Sequence, residues 1–308
     1  MIYKNRKILV NGWIAIDKPL GITSANVVTK VRSLTGVAKI GHGGTLDPLA
    51  SGILPLALGE ATKTIAYVMN SSKTYRCNIT WGESRSTDDS DGDIIDINNK
   101  RPNIDEIKIA INQFIGKIEQ IPPIYSAVKI NGQRAYDLAR KKKHVNIKSR
   151  TVQINSFVLT KASKQVATFE INCEKGTYIR SLARDLAKTL GTVGYVSELR
   201  RTICGSFNEL NAISLDMLKN FDYKLGFDNL VLPVETVLNN VPSLVLTADE
   251  AHRLKNGQSI PISKLMERNP GMYLFLTGTT VQTLFENRLI ALARIDDVEL
   301  YPVRVLNL

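Results

Sequence analysis

The stretch Gly41–Lys63, GHGGTLDPLASGILPLALGEATK, constrains this chain more than any other segment. It sets one carboxylate, Asp47, between a glycine-rich turn and a proline, in surroundings that are otherwise short of charge. A solvated loop would carry more polar side chains, and a core strand would carry fewer glycines and prolines. The stretch therefore predicts a rigid, partly buried loop that presents Asp47.

The charge of the chain indicates a polyanionic partner. Its 308 residues carry a formal net charge of +11, with a pI of about 9.5, while 44% of them are apolar. The apolar content is that of a globular protein with a sizeable core, in one large domain or two ordinary ones. An excess of cations on such a chain favours nucleic acid as the partner over a charge that serves solubility alone.

The cysteines and acidic residues give no support to a metal site. The three cysteines are far apart and form no CxxC pair, which argues against a disulfide framework and a zinc site. The three histidines are equally scattered. The acidic stretch Asp88–Asp93 resembles a calcium loop but lacks the closing glutamate at the required spacing. No metal and no cofactor are expected.

Nothing in the sequence indicates a membrane or an export route. The first residues are basic but carry no apolar stretch followed by a small-residue cleavage site. The apolar run Ile53–Leu58 is far too short to span a bilayer. A reducing cytoplasmic location is expected.

Hydrophobic periodicity predicts a mixture of strands and helices. In Lys73–Trp81 apolar and polar residues alternate, which is typical of a half-buried strand, and Asn103 with Glu106 has the pattern of a capping box. Further strands are predicted at Asn11–Asp17, Val152–Thr160, Val166–Cys173 and Tyr195–Cys204. Helices are predicted after Thr23, from Glu60, and at Ala135–Lys143, Tyr178–Leu190 and Ser214–Lys219.

The pattern of predicted elements changes near Asn239. The residues beyond it predict a short helix at Ala248–Lys255 and strands at Met272–Thr277, Leu289–Ile295 and Val303–Leu306. We therefore predict two domains, 1–238 and 239–308.

Asp47 alone is compatible with three roles: nucleophile, general acid or base, and cap of a turn. No second carboxylate lies nearby in the sequence, so paired acid–base hydrolysis of the glycosidase kind has no local support. Neither a GxSxG motif nor a lysine-containing phosphate loop is present.

Five blocks, taken in order, resemble the bacterial tRNA pseudouridine-55 synthases of the TruB family. They are the Gly41–Lys63 stretch, KTYRCNITWG, IPPIYSAVKINGQRAYDLAR, KGTYIRSLARDLAKTLG and YVSELRRT, and the match runs from about Asn11 to Thr202. Gly43 departs from the family pattern, in which Ala or Thr is frequent, and we expect it to affect loop flexibility rather than chemistry.

The resemblance implies an α+β fold with a mixed, mainly antiparallel central sheet, flanked by helices and loops. It also implies a small β-rich, PUA-like C-terminal domain that binds RNA. The implied activity is the isomerisation of a T-loop uridine to pseudouridine, without cofactor or metal. Asp47 matches the family's nucleophile, which can add to C1′ or to the pyrimidine ring. Arg180 matches the arginine that pairs with it.

Four further residues receive roles from the resemblance. Tyr75 matches the tyrosine that stacks on the target uracil, and Tyr178 a second active-site tyrosine that contacts the base. Leu199 matches an apolar wall of the pocket; on its pattern alone it would be a core residue. His42 matches a histidine that takes part in recognition of the T-loop.

The RNA-facing regions are also implied by resemblance. Lys18–Pro19, an insertion at about 120–150 with its hairpin at 126–136, and the basic run Lys141–Lys143 are expected to face tRNA. Arg200 and Arg201 are expected to reach phosphates. The partner is tRNA, and a monomer is expected.

Two other functions stay open. The chain could act mainly as an RNA chaperone that folds tRNA, with catalysis secondary. It could also be the catalytic subunit of a synthase guided by a separate RNA, although relatives of that kind carry a larger C-terminal domain.

Overall fold

Strands dominate the part of the chain that the computed structural model describes, which comprises residues 10–141, 145–221, 226–272 and 275–308. The strands are β1 (Gly12–Lys18), β2 (Ile40–His42), β3 (Ala50–Leu58), β4 (Lys73–Trp81), β5 (Glu83–Arg85), β6 (Ile94–Ile97), β7 (Gly116–Gln120), β8 (Lys129–Ile130), β9 (Gln133–Arg134), β10 (Arg150–Ala162), β11 (Val166–Cys173), β12 (Gly194–Cys204), β13 (Phe207–Asn208), β14 (Ala212–Ser214), β15 (Ser243–Val245), β16 (Ile260–Pro261), β17 (Thr280–Phe285), β18 (Arg288–Ile295) and β19 (Glu299–Val305).

Helices connect and flank these strands. The α-helices are α1 (Ser24–Thr35), α2 (Ile65–Asn70), α3 (Ile104–Ile111), α4 (Ala135–Arg140), α5 (Ile179–Thr189), α6 (Leu215–Asn220), α7 (Ala248–Lys255) and α8 (Ser263–Met266). Short 3-10 helices lie at Gly59–Thr64, Asn112–Phe114, Phe227–Leu230 and Val234–Val237.

One large sheet organises the first part of the chain. Its order is β14-β1-β3-β12-β4-β11-β10-β7, with β2 paired to β3 and β13 to β12. Only the β1–β14 and β3–β12 pairs are parallel. The predicted mixed, mainly antiparallel sheet is confirmed.

Local sequence signals explain the ends of two helices. The Thr23 hydroxyl accepts a hydrogen bond from the Asn26 amide at the start of α1, and Gly36 ends the helix with φ 72°. At the start of α3, Asn103 and Glu106 form both bonds of the predicted capping box.

The two faces of the large sheet bury different cores. On one face, α3 and α5 pack on the strands, with side chains such as Ile107, Leu182 and Phe169 buried together. On the other face, Trp13 and Phe207 pack with Leu292 and Leu306 of the C-terminal residues. The first core supports the helix that carries Arg180, and the second joins the C-terminal domain to the sheet.

The C-terminal β domain is a five-stranded sheet in the order β15-β17-β18-β19-β16. Polar contacts add to its apolar junction with the large sheet. The Lys63 ammonium donates to the Val305 carbonyl (2.7 Å), and the Asn307 amide donates to the Glu60 carboxylate (2.9 Å). The proposed boundary at 238/239 lies between the two sheets and stays a prediction.

The prediction of one continuous loop over Gly41–Lys63 was wrong. His42 ends β2, and β3 runs from Ala50 to Leu58 as an interior strand of the sheet, almost wholly buried. The apolar run that set this stretch apart is therefore core, and only the residues between β2 and β3 form the loop that carries Asp47.

Two other boundaries also differ from the predictions. The described residues of the predicted strand Met272–Thr277 are not in a strand, and the nearest strand, β17, begins at Thr280. Helix α4 ends at Arg140 rather than Lys143. Of the basic run Lys141–Lys143, only Lys141 lies within the described residues.

Candidate active site

Asp47 lies in the short loop between β2 and β3, and the loop is fastened on both sides of it. The Ser24 hydroxyl, at the start of α1, donates to the Leu46 carbonyl (3.0 Å) and accepts from the Leu46 amide (2.9 Å). The Ala50 amide donates to the Asp47 carbonyl (3.0 Å). The Asp47 side chain is 39% exposed, so its carboxylate is both fixed and accessible.

Arg180 holds the Asp47 carboxylate from the buried side. Its Nη2 lies 2.9 Å from Asp47 Oδ2, and its side chain is 5% exposed. The same guanidinium donates to the carbonyls of Thr87 (2.9 Å) and Tyr125 (3.0 Å). Three anchors on a planar group leave it little freedom, so the guanidinium orients the carboxylate as well as offsetting its charge.

The acidic loop after β5 supplies a second carboxylate to Arg180, which our sequence analysis missed. Asp89 Oδ2 lies 3.7 Å from Arg180 Nε, and Asp88 Oδ2 lies 2.9 Å from Arg184 Nη1. Burial raises the pKa of Asp88, and Arg184 opposes that shift. A signal was present, because two arginines four apart on one helix face require anionic partners if they are buried.

Two carboxylates of this calcium-like acidic loop, those of Asp88 and Asp89, thus have arginines as partners. Within the described ranges, no three His, Cys, Asp or Glu side chains lie close enough together to hold a metal ion.

Arg201 lies beneath the Asp47 loop, and the prediction that it reaches a phosphate was wrong. Its side chain is fully buried and donates to the carbonyls of Ile53 (2.7 Å) and Gly44 (3.0 Å). Strand β12 approaches β3 so closely that a Cβ on Gly52, at φ 100°, would overlap the Arg201 backbone. Arg201 is thus a structural support of the Asp47 loop.

Arg200 also forms its ion pairs within the protein. It forms a bidentate pair with Asp17, with both N–O distances 2.9 Å, and a further contact of 2.6 Å with Glu209. These carboxylates raise the pKa of Arg200. They also accept from the guanidinium nitrogens with which Arg200 was predicted to contact a phosphate.

Lys18 faces inward, contrary to the prediction of an RNA-facing lysine. Its ammonium donates to the carbonyls of Pro19, Ile22 and Pro48 at 2.8–3.3 Å, and the residue is fully buried. Burial lowers its pKa to about 8, and the nearby Asp47 opposes the shift. Lys18 therefore ties β1 to the residue that follows Asp47, and offers no surface to a phosphate.

Tyr75 and Leu199 lie on adjacent strands of the large sheet. Tyr75, on β4, packs against the first core, and burial raises its pKa to about 12 even though Arg201 opposes the shift. Leu199, on β12, is buried and is paired in register with Cys77 of β4 and Ala50 of β3. A neutral phenol and an apolar side chain suit contact with a flat, uncharged base.

Tyr178 precedes α5 and lies two residues before Arg180. The Gln120 side chain holds its backbone, accepting from the amide (2.8 Å) and donating to the carbonyl (3.1 Å). The Arg150 guanidinium lies 4.8 Å from the centre of its ring. The ring is thereby placed by two neighbouring strands, β7 and β10.

His42 ends β2, at the entrance to the Asp47 loop. The residue is half-buried, and its Nδ1 is buried without a hydrogen-bond partner among the described residues. Burial lowers the pKa of the imidazole, and Arg201 lowers it further. Both effects favour the neutral form of the ring.

Comparison with known proteins decides the family. The model of the TruB family pseudouridylate synthase N-terminal domain matches residues 32–179, and that of the tRNA pseudouridylate synthase B C-terminal domain matches residues 180–239. The chain belongs to the TruB family of pseudouridylate synthases. It is 48% identical to tRNA pseudouridine synthase B of Rhodospirillum rubrum, over the whole of both chains. The corresponding Caulobacter sp. protein is 42% identical over 97% of each chain.

Solved structures support the fold. A chain in an H/ACA ribonucleoprotein bound to a substrate RNA with 2′-deoxyuridine matches 96% of this chain with a TM-score of 0.73 and 23% identity, over 84% of its own length. A chain of a Cbf5–Nop10–Gar1 complex matches 92% of this chain with a TM-score of 0.70 and 27% identity, over 78% of its own length. The TruB-family chain thus shares its fold with chains of both complexes.

No helix among the described residues is both long and apolar enough to cross a bilayer.

Proposed function

We propose that this chain converts the T-loop uridine of tRNA, at position 55, to pseudouridine, with Asp47 as nucleophile and no cofactor. The observation that carries the proposal is the pairing of a half-exposed carboxylate with a buried arginine, 2.9 Å apart, in a loop fixed on both sides. Membership of the TruB family and similarity to proteins named tRNA pseudouridine synthase B support the reaction class.

The reaction is an isomerisation in which atoms balance without a co-reactant. The C1′–N1 bond breaks, the base turns, and a C1′–C5 bond forms. The proton at C5 leaves, and N1 gains one. Asp47 adds covalently to C1′ or to the ring and departs again, which divides one difficult exchange into easier steps.

Arg180 has a positioning and electrostatic role in this scheme. Because its guanidinium is anchored to the Thr87 and Tyr125 carbonyls, it keeps the Asp47 carboxylate in one orientation throughout the reaction. Preorganised charge of this kind needs no rearrangement as the nucleophile attacks.

Tyr75, Tyr178 and Leu199 are proposed to receive the flipped uracil. A uridine in a folded loop must leave its stack before C1′ is reached, which costs a few kcal/mol. Stacking on an aromatic ring stabilises the flipped base by roughly 1–3 kcal/mol. His42 is neutral, half-buried and beside the loop, so it can take the place of a base in the T-loop without a charge to desolvate.

Exposed cations outside the pocket are proposed to bind tRNA phosphates. Lys129 and Arg134, on the hairpin of β8 and β9, are exposed, and Arg140 and Lys141 at the end of α4 are exposed as well. These residues lie in the insertion predicted to contact RNA, and they supply the affinity that the buried Lys18 and Arg201 cannot.

Tritium release from [5-³H]uridine in a T-loop transcript tests the proposal. Wild type should release tritium from the T-stem-loop alone, with no added guide RNA, and Asp47→Asn should release none above background while still binding the transcript. Activity that required a second RNA would indicate the guided-subunit alternative. Transcript binding without release by wild type would indicate the chaperone, and near-normal release by Asp47→Asn would exclude Asp47 as nucleophile.

A further inference from the structure

Gly43 follows His42 as the first residue of the Asp47 loop, and its φ is not positive. Because its φ is not positive, the backbone of Gly43 does not itself require glycine. The reason for glycine here is space. A Cβ at residue 43 would lie 2.6 Å from Val68 Cγ1 and 3.0 Å from Val68 Cβ, whereas ordinary contact begins near 3.4 Å.

Neither side of this contact is free to move. The Gly43 amide donates to the Pro55 carbonyl of β3 (2.7 Å), and the next carbonyl, that of Gly44, accepts from Arg201 (3.0 Å). Val68 is buried on α2 and is branched at Cβ, so no rotamer removes all of its γ-carbons.

The end of α2 is fastened as well. The buried ammonium of Lys73 donates to the carbonyls of Val68 (2.8 Å) and Met69 (2.8 Å), and also to that of Ser71. A movement of the end of α2 that relieved the contact would strain these Lys73 bonds.

We infer that Gly43 and Val68 form a positioning pair, whose close approach fixes the Asp47 loop relative to Arg180 and Arg201. The inference rests on the proposed function. It replaces the expectation that Gly43 affects only loop flexibility. A side chain at residue 43 must shift the loop by up to about 0.8 Å, and misplacement on the order of 1 Å costs catalysis about 100-fold.

Gly41, two residues earlier on β2, offers a matched control. A Cβ there would also lie 2.6 Å from a neighbour, but that neighbour is Ile65 Cδ1, the far end of a flexible side chain. The two glycines thus meet the same overlap, one against a stiff group and the other against a yielding one.

The test measures single-turnover tritium release and transcript Kd in full-length variants. Gly43→Ala should lower the rate about 10- to 100-fold with Kd changed less than threefold, and Gly41→Ala should stay within threefold of wild type. Adding Val68→Ala to Gly43→Ala should restore the rate to within threefold of Val68→Ala alone. Adding Val68→Thr, which keeps the branched shape, should leave the rate low.

The inference is overturned if Gly43→Ala behaves like Gly41→Ala, if Kd rises as much as the rate falls, or if Val68→Thr rescues as well as Val68→Ala. Should Gly43→Ala alone be too unstable to assay, the comparison of the two double variants decides, because both carry the same change at residue 43. Absence of release by wild type would instead count against the proposed function.

Discussion

Replacing Arg180 tests whether the guanidinium aims Asp47 or merely neutralises it. Arg180→Lys keeps the charge but not the planar fork that contacts Asp47, the Thr87 carbonyl and the Tyr125 carbonyl. Arg180→Met keeps the length and apolar stem but removes the charge. If aiming matters, both variants lose turnover, and the lysine variant loses it in spite of its charge.

The magnitudes follow from the contacts. An ammonium at this position cannot satisfy all three acceptors, and the loss of one charge-assisted bond costs about 2 kcal/mol, or about 30-fold in rate. Arg180→Met breaks a buried pair, for which about 3–5 kcal/mol is typical. Because Asp47 is 39% exposed and can regain water, we expect the lower end, about 3 kcal/mol or roughly 150-fold.

The assay is single-turnover tritium release with enzyme in excess, beside transcript Kd from filter binding. Arg184→Lys is the matched control, since Arg184 lies one turn along α5 and pairs with Asp88 rather than Asp47. It should stay within threefold of wild type. The reasoning would be refuted if Arg180→Lys matched this control, or if Kd rose as much as the rate fell, which would make Arg180 a binding residue.

Two further predictions concern RNA affinity and the C-terminal domain. The Kd of tRNA should rise steeply with salt, and Lys129→Ala and Arg134→Ala should each lower the log–log slope by about 0.7–0.9 if each contacts one phosphate; an unchanged slope in both would place the phosphates elsewhere. Burial alone would raise the pKa of Glu60, but the Asn307 amide and the Lys63 ammonium outweigh it and lower that pKa. Glu60 therefore stabilises the fold above pH 4.5 and loses this effect as the pH falls through its lowered pKa. Glu60→Gln should reduce the acid-dependent loss of stability in thermal melts below pH 4.5 and speed exchange of the Asn307 amide, and parallel acid curves would contradict this.

The mixed, mainly antiparallel sheet was expected from the family resemblance, whereas several of its strands could be predicted from local signals. Alternation over Lys73–Trp81 is matched by β4, and the capping box at Asn103 is matched at the start of α3. The stretch around Asp47 misled because a buried interior strand has no alternation, and the glycines and prolines within and beside it have the composition of a loop. β3 is recognisable only once its neighbours β1 and β12 are known.

The pairing of Asp47 with Arg180 was reached through family resemblance, and the structure brings the two side chains together. Asp89 was not found, because its loop is acidic and polar, which is typical of a solvated turn. What distinguishes it is a long-range fact: a parallel bridge between Asp89 and Val196 brings the acidic loop to β12, near the buried start of α5.

Arg201 and Lys18 show why cations are hard to assign from sequence in a basic chain. Among the described residues, Arg201 has no carboxylate within salt-bridge distance, and it donates hydrogen bonds to backbone carbonyls of the Asp47 loop and β3. A buried cation without a carboxylate is costly unless the carbonyl dipoles are fixed. The carbonyl dipoles surround the Arg201 guanidinium only when the loop is folded, so the cation and the loop geometry depend on each other. Part of the positive charge that indicated an RNA partner therefore holds the Asp47 loop together, and the exposed hairpin cations Lys129 and Arg134 are the ones proposed to bind tRNA.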